Sequence, residues 1–181
     1  MSLNKYNNVM IDLETLGLRS TSVILSIGAV YFDIETGETG EEFYCTIDID
    51  SCVECGLTID AKTLQWWLSK SDSAKDSLNG KMSLNGALWG LHTFLLKGSI
   101  KNNLIWANSP KFDLGILVNA YKATDIIQSW DDKNERDVRT LASLAPEIKN
   151  ECVFNGTEHN PIDDCKHQIK YCSQIWNKLK Q

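Results

Sequence analysis

The chain has 181 residues, 43% of them hydrophobic, and a formal net charge of −6. That length fits one domain, expected over residues 1–181, and the apolar content excludes a disordered chain. No apolar run approaches the ~18 residues needed to span a membrane, and no basic-then-apolar leader opens the chain, so a cytoplasmic protein with no membrane partner is expected.

Strand signals come first. Val9–Leu13 is apolar with an acidic interruption, Val23–Phe32 is β-branched and aromatic, and Glu42–Ile49 alternates after the Glu35-Thr36-Gly37 turn. Three strands with short connections predict an antiparallel meander. Asp60 is placed to cap a helix through Leu64, Trp67 and Leu68. Leu84, Leu88, Leu91 and Leu95 step at helical spacing. Asn103–Asn108 reads as a short strand and Phe112–Tyr121 as a helix. Arg136–Ala145 reads as a short helix ended by Pro146, and Gly156–Asn160 as a loop. From Pro161 onward the pattern is again helical, with Asn160 as N-cap and Pro161 at the first helical position. Its buried stripe is predicted to run through Ile162, Cys165, Ile169, Cys172, Trp176 and Leu179. Strands first and then helices mixed with strands give an α/β class with a mixed sheet flanked by helices.

The negative charge argues against a passive nucleic-acid binder, which needs a basic footprint. It does not exclude an enzyme whose clustered carboxylates hold divalent metals, because those metals neutralise the site and bridge to phosphate. Of the six cysteines, only Cys52 and Cys55 have CxxC spacing. No second pair completes four zinc ligands, so reduced thiols are the better reading.

Asp12 and Glu14 sit two apart in a predicted strand, so both carboxylates point to one face. Two like charges side by side are costly unless a cation joins them. Alone, the pair reads equally well as a solvated strand end. Asp113 opens a predicted helix just after an apolar strand, a place the helix dipole also favours for an ordinary acid. In the last helix, Asp164 lies roughly 100° from the centre of the buried stripe, at its boundary. Asp163 lies almost opposite the stripe near Lys166 and Lys170 and reads as solvated. His159 precedes that helix on a loop.

Together these residues form a constellation that only folding can assemble. Carboxylates holding two Mg²⁺ or Mn²⁺ about 3.5–4 Å apart suit in-line attack on a phosphodiester. Hard cations prefer oxygen ligands, which accounts for Asp and Glu rather than Cys. His159, with an ordinary imidazole pKa near 6.5, would accept the proton of the attacking water near neutral pH.

Asp12-Leu13-Glu14-Thr15, Asn108-Ser109-Pro110-Lys111-Phe112-Asp113 and His159-Asn160-Pro161-Ile162-Asp163-Asp164 resemble, in order and spacing, the three motifs of the DnaQ-like DEDDh 3′→5′ exonuclease superfamily. Thr63-Leu64-Gln65-Trp66-Trp67 and Arg136-Asp137-Val138-Arg139-Thr140-Leu141 are similar to its branch containing phage exonuclease DexA and a mycobacterial 3′→5′ exoribonuclease. The resemblance spans nearly the whole chain and implies an RNase H-like fold, four metal-binding acids (Asp12, Glu14, Asp113 and Asp164), and His159 as general base on a loop that relatives often keep mobile. It further implies DNA or RNA substrates with a single-stranded or overhanging 3′ end, and a homodimer. Thr15 and Leu16 resemble positions that cradle the terminal nucleotide, with Asn108 and Ser109 helping. Trp66 is a candidate base-stacking platform, with interface burial as the alternative. Arg136 and Arg139 read equally as phosphate contacts or as partners of Asp137. The chain has Pro161 where many relatives have Ala, a change the first helical turn tolerates. The rival readings are a catalytically silent nucleic-acid-binding domain of the same fold, an internally cutting two-metal nuclease, and a hydrolase of short oligonucleotides.

Overall fold

The computed structural model describes residues 6–71, 75–98 and 103–181. Its centre is a five-stranded sheet in the order β3-β2-β1-β4-β5. The meander forms as expected, with β1 (Asn8–Thr15), β2 (Ile24–Phe32) and β3 (Thr39–Thr46) pairing antiparallel. Strands β4 (Leu104–Ala107) and β5 (Glu135–Asp137) extend it in parallel on the other side of β1. The sheet is therefore mixed, and helices cover both faces.

One face packs on α1 (Ile49–Glu54), α2 (Ala61–Leu68), α3 (Leu84–Leu96) and α4 (Asp113–Ala123). The other packs on α5 (Val138–Ser143), α6 (Pro146–Glu151) and α7 (Pro161–Leu179). The alternation of β1 divides between them. Val9, Ile11 and Leu13 enter the first core, and Met10 enters the second. Asp12 and Glu14 share the face of Met10, so they look toward α7.

Helix α7 can lie close because of Gly28, the residue opposite Asp12 in the β1–β2 pairing. A Cβ at Gly28 would stand 2.7 Å from the Pro161 carbonyl carbon. Cys165, also small, sets its Sγ 3.6 Å from the Met10 carbonyl oxygen. The first turn of α7 is thus seated directly on the strands that carry the acids.

Three boundaries differ from the sequence expectation. The third strand stops at Thr46, and Ile49 opens α1 under an Asp48 cap that holds the Asp50 amide at 2.9 Å. The expected Arg136–Ala145 helix instead begins as β5, because β4 recruits Glu135, Arg136 and Asp137 as a three-residue edge strand. Asp137 then caps α5 by accepting from Arg139 N at 3.0 Å. Pro146 opens α6 rather than merely ending α5, since a first-turn residue needs no N–H. The α7 stripe is buried at Ile162, Cys165, Ile169 and Cys172, half-buried at Trp176, and exposed at Leu179 as the helix runs off the sheet. All six cysteines are free thiols.

Candidate active site

The end of β1 is the meeting point. Strand β4 pairs β1 only from Asn8 to Met10, leaving the Leu13 amide without a strand partner on that side. Asp113, the first residue of α4, fills the place, and its Oδ1 accepts from Leu13 N at 3.3 Å. On the opposite side the pairing of β1 with β2 shifts register between Glu14 and Thr15, an irregularity of the kind that re-aims side chains beside functional sites. From above, the first turn of α7 delivers Asp164.

Asp12, Glu14 and Asp164 each place one carboxylate oxygen so that all three lie within 4.8 Å of one another. Asp113 is only 3% exposed and lies within Coulombic range of Asp12. Burial, followed by the charges of Asp113 and Asp164, pushes the Asp12 carboxyl well above its ordinary range. Glu14 rises to about 9 through burial and then the charges of Asp12, Asp164 and Asp113. Asp113 rises to about 7 because it is buried, with the backbone amide of Leu13 pulling the other way. Asp164 rises to about 6 through burial and then the adjacent Asp163. Four carboxyls whose burial and neighbouring charges disfavour the ionised form are the oxygen-donor set a hard divalent cation satisfies. A bound cation would favour their ionised form against both effects.

His159 stands at the rim. Its Nδ1 is 3.9 Å from Glu14 Oε1, and its ring meets the rings of Trp66 and Trp67 edge-on at centroid distances of 4.9 and 5.9 Å. Burial and the positive charge of Lys70 lower its pKa from the ordinary imidazole value. The imidazole is therefore neutral near pH 7, the form that accepts a proton.

Beside the acids lies a cavity of about 550 Å³ lined by Glu14, Thr15, Leu18, Thr63, Trp66 and Phe112, among others. Trp67 forms its inner wall, buried and fixed by an Nε1 bond to the Thr15 carbonyl at 2.9 Å. Trp66 is half open, with the Lys70 ammonium 4.1 Å from its ring centroid. Trp66 thus keeps the open surface that a stacking platform needs. The expected cradling role of Leu16 does not fit this arrangement. Its side chain is fully buried, and its backbone N–H and C=O bond to Val23 and Asp60, so it has no surface to offer. Leu18, 80% exposed, lines the cavity instead. Asn108 and Ser109 lie on the turn leading to Asp113, outside the cavity wall, with Ser109 at φ +119°.

Among the residues around the acids, Gln168 was not singled out by sequence. One helical turn after Asp164, it donates its Nε2 to Asp12 Oδ1 at 2.9 Å. Its spacing of four from Asp164 is the signal that would have found it. Asp163 is half-buried rather than solvated, because its Oδ2 accepts from Thr157 N at 2.9 Å and so meets the loop. Arg136 gives its guanidinium to the Lys133 and Glu135 carbonyls. Asp137 acts as a helix cap, which leaves the exposed Arg139 as a cation in Coulombic range of Asp113.

Comparison with solved structures finds the same fold. The nuclease domain of 3'hExo, a DEDDh family member solved with rAMP, superposes with a TM-score of 0.68 at 11% identity, covering 96% of this chain and 94% of that one. Exonuclease I of E. coli, solved with a dA16 oligonucleotide, gives 0.69 at 13% identity over 97% of this chain, which spans only 43% of it. A 3'-exonuclease described for 3'-end specific recognition of histone mRNA stem-loop gives 0.64 at 12% identity, over 97% and 84% of the two chains. A search of curated protein sequences gave no match. At the level of sequence families, residues 7–176 match one model, and the chain belongs to the 3'-5' exoribonuclease Rv2179c-like domain family.

Proposed function

We propose that this chain is a 3′→5′ exonuclease that removes nucleotides from the 3′ ends of RNA, with residues 1–181 acting as one catalytic unit. The observation that carries the reading is the convergence of Asp12, Glu14 and Asp164 within 4.8 Å beside buried Asp113, with His159 at the rim. Asp12, Glu14, Asp113 and Asp164 would hold two divalent ions, Mg²⁺ or Mn²⁺. When bound, such ions supply Lewis-acid stabilisation of the charge that develops on the phosphate oxygens. His159, neutral and facing Glu14, takes the proton from the attacking water. The cavity walled by Thr15, Leu18, Trp66 and Phe112 receives the terminal nucleoside, and Arg139 on the acid side meets a backbone phosphate. Trp66 is the platform on which the base stacks, a contact worth roughly 1–3 kcal/mol.

RNA is favoured over DNA by the family's exoribonuclease description. The substrate is a single strand or a 3′ overhang, as the resemblance to DEDDh exonucleases implies. A homodimer, implied by the resemblance of the three motifs to DEDDh exonucleases, and a cytoplasmic location belong to the same reading.

The test is a time course with 5′-labelled RNA and DNA single strands in Mg²⁺, Mn²⁺ or EDTA, for wild type and Asp113→Ala. A descending ladder on RNA that needs metal and is lost in the variant is expected. Immediate release of a short 5′-labelled product with no descending ladder, or no cleavage of either polymer, would refute the assignment.

A further inference from the structure

Asp163 and Asp164 are adjacent on one helix, and about 100° of rotation separates their side chains. Asp164 joins the carboxylate cluster, whereas Asp163 supplies no ligand atom to it. Asp163 instead accepts the Thr157 amide at 2.9 Å, and the Asn160 amide in turn donates to the Thr157 carbonyl at 3.1 Å. The Asn160 side chain caps the helix through the Ile162 amide at 3.0 Å. Both ends of the short turn containing His159 are therefore fastened to the first turn of α7.

We infer that Asp163 is a positioning residue: by holding Thr157 it fixes the loop that presents His159 to Glu14. The inference rests on the reading of His159 as the general base. Two backbone features support it. His159 has φ +64°, a left-handed conformation that a non-glycine residue keeps only when its surroundings impose it. Gly156 has φ +145°, and a Cβ there would stand 2.6 Å from Asp163 Cγ. Glycine is what lets the carboxylate come up under the turn. On the far side of the loop, Trp66 and Trp67 stop the imidazole, so the ring is set between α2 and the acids.

The test uses Asp163→Ala, Asp163→Asn, Gly156→Ala and the double variant Gly156→Ala/Asp163→Ala in the full chain. Asparagine keeps an acceptor oxygen but removes the charge. Gly156→Ala keeps the charge but blocks the approach. Asp163→Ala is expected to lower kcat about tenfold, in line with losing a hydrogen bond to a charged acceptor, while KM and the Mg²⁺ requirement stay within about twofold. Asp163→Asn should restore most of kcat, Gly156→Ala should match Asp163→Ala, and the double variant should be no slower than either single one. Equal loss in the alanine and asparagine variants would assign the effect to charge on Asp164 and overturn the positioning role. Amide exchange at Thr157 provides a readout independent of activity. It should be slow in wild type and Asp163→Asn and fast in Asp163→Ala. Equal exchange in all three would overturn the inference even with an active enzyme. If wild type cleaves no polymer, the general-base reading fails, and Thr157 exchange still decides whether Asp163 holds the loop.

Discussion

Gln168 and Asp12 are joined by a 2.9 Å hydrogen bond between α7 and β1, running from the side-chain amide to Oδ1. The donor occupies one oxygen of an acid that also belongs to the cluster with Glu14 and Asp164. It also opposes the burial and like charges that favour protonation of Asp12. The Gln168 carbonyl oxygen is itself buried without a partner, so this side chain is placed for its amide rather than for its own satisfaction.

Replacing Gln168 by Met keeps the volume and removes the donor. The Mg²⁺ concentration for half-maximal cleavage should rise about 10- to 100-fold, the range for residues that orient metal ligands. Because the variant also removes an unsatisfied buried oxygen, its melting temperature should stay close to wild type. A metal titration of activity beside a thermal melt separates the two. An unchanged Mg²⁺ midpoint would remove Gln168 from the site.

Gly28→Ala should act on the same helix from below. The added methyl meets the Pro161 backbone at 2.7 Å, so α7 must lift at its first turn. Overpacking of this kind costs about 1–3 kcal/mol. The loss should appear both as a lower melting temperature and as weaker Mg²⁺ binding by calorimetry, since Asp164 moves with the helix. A variant that melts early but binds Mg²⁺ normally would show that Asp164 tolerates the shift.

Metal-free protein should have an inverted acid response. Asp164, Asp113 and Glu14 have folded-state pKa values raised to about 6, about 7 and about 9. The folded protein therefore keeps protons that the unfolded chain has already lost. The stability these groups contribute is fully present below the ordinary carboxylate range and is lost as pH rises through those values. In EDTA the melting temperature should fall between about pH 5 and about pH 9. Excess Mg²⁺ should flatten the fall, because it binds the deprotonated cluster. A melting temperature in EDTA that climbs across this range would contradict the repulsive cluster.

Much of this site was legible because its parts obey local rules. The strand period puts Asp12 and Glu14 on one face, and the helical period separates Asp163 from Asp164. Asn160 and Pro161 mark the start of α7 by capping chemistry alone. What escaped the sequence depends on contacts between distant segments. Strand β5 exists only because β4 pairs with it, and three residues carry no periodicity of their own. Leu16 follows directly on the first motif, yet the chain turns it into the core and exposes Leu18. Asp163 faces away from the buried stripe, and only the fold of the Gly156–Asn160 loop brings Thr157 to it.

His159→Ala should separate proton transfer from metal binding. A positioned general base contributes ~10²–10⁴-fold to kcat, and that factor should be lost. The imidazole lies 3.9 Å from Glu14 but outside the carboxylate cluster, so the Mg²⁺ midpoint should move little. Single-turnover rates across a Mg²⁺ series check this. A large shift in the midpoint with little change in the limiting rate would make His159 a metal ligand instead of a base.

The most direct measurement compares the cleavage rates of Asp164→Asn and Asp163→Asn at saturating Mg²⁺ on one RNA strand. Both variants remove one negative charge from the same turn of α7, so net charge and helix chemistry are matched. Only Asp164 belongs to the cluster with Asp12 and Glu14. Asp164→Asn should lose roughly 10²-fold or more, as expected when a ligand of a charge-stabilising ion is removed, while Asp163→Asn keeps most of the wild-type rate. Equal losses in the two variants, or retention of activity by Asp164→Asn, would contradict the assignment of the active site.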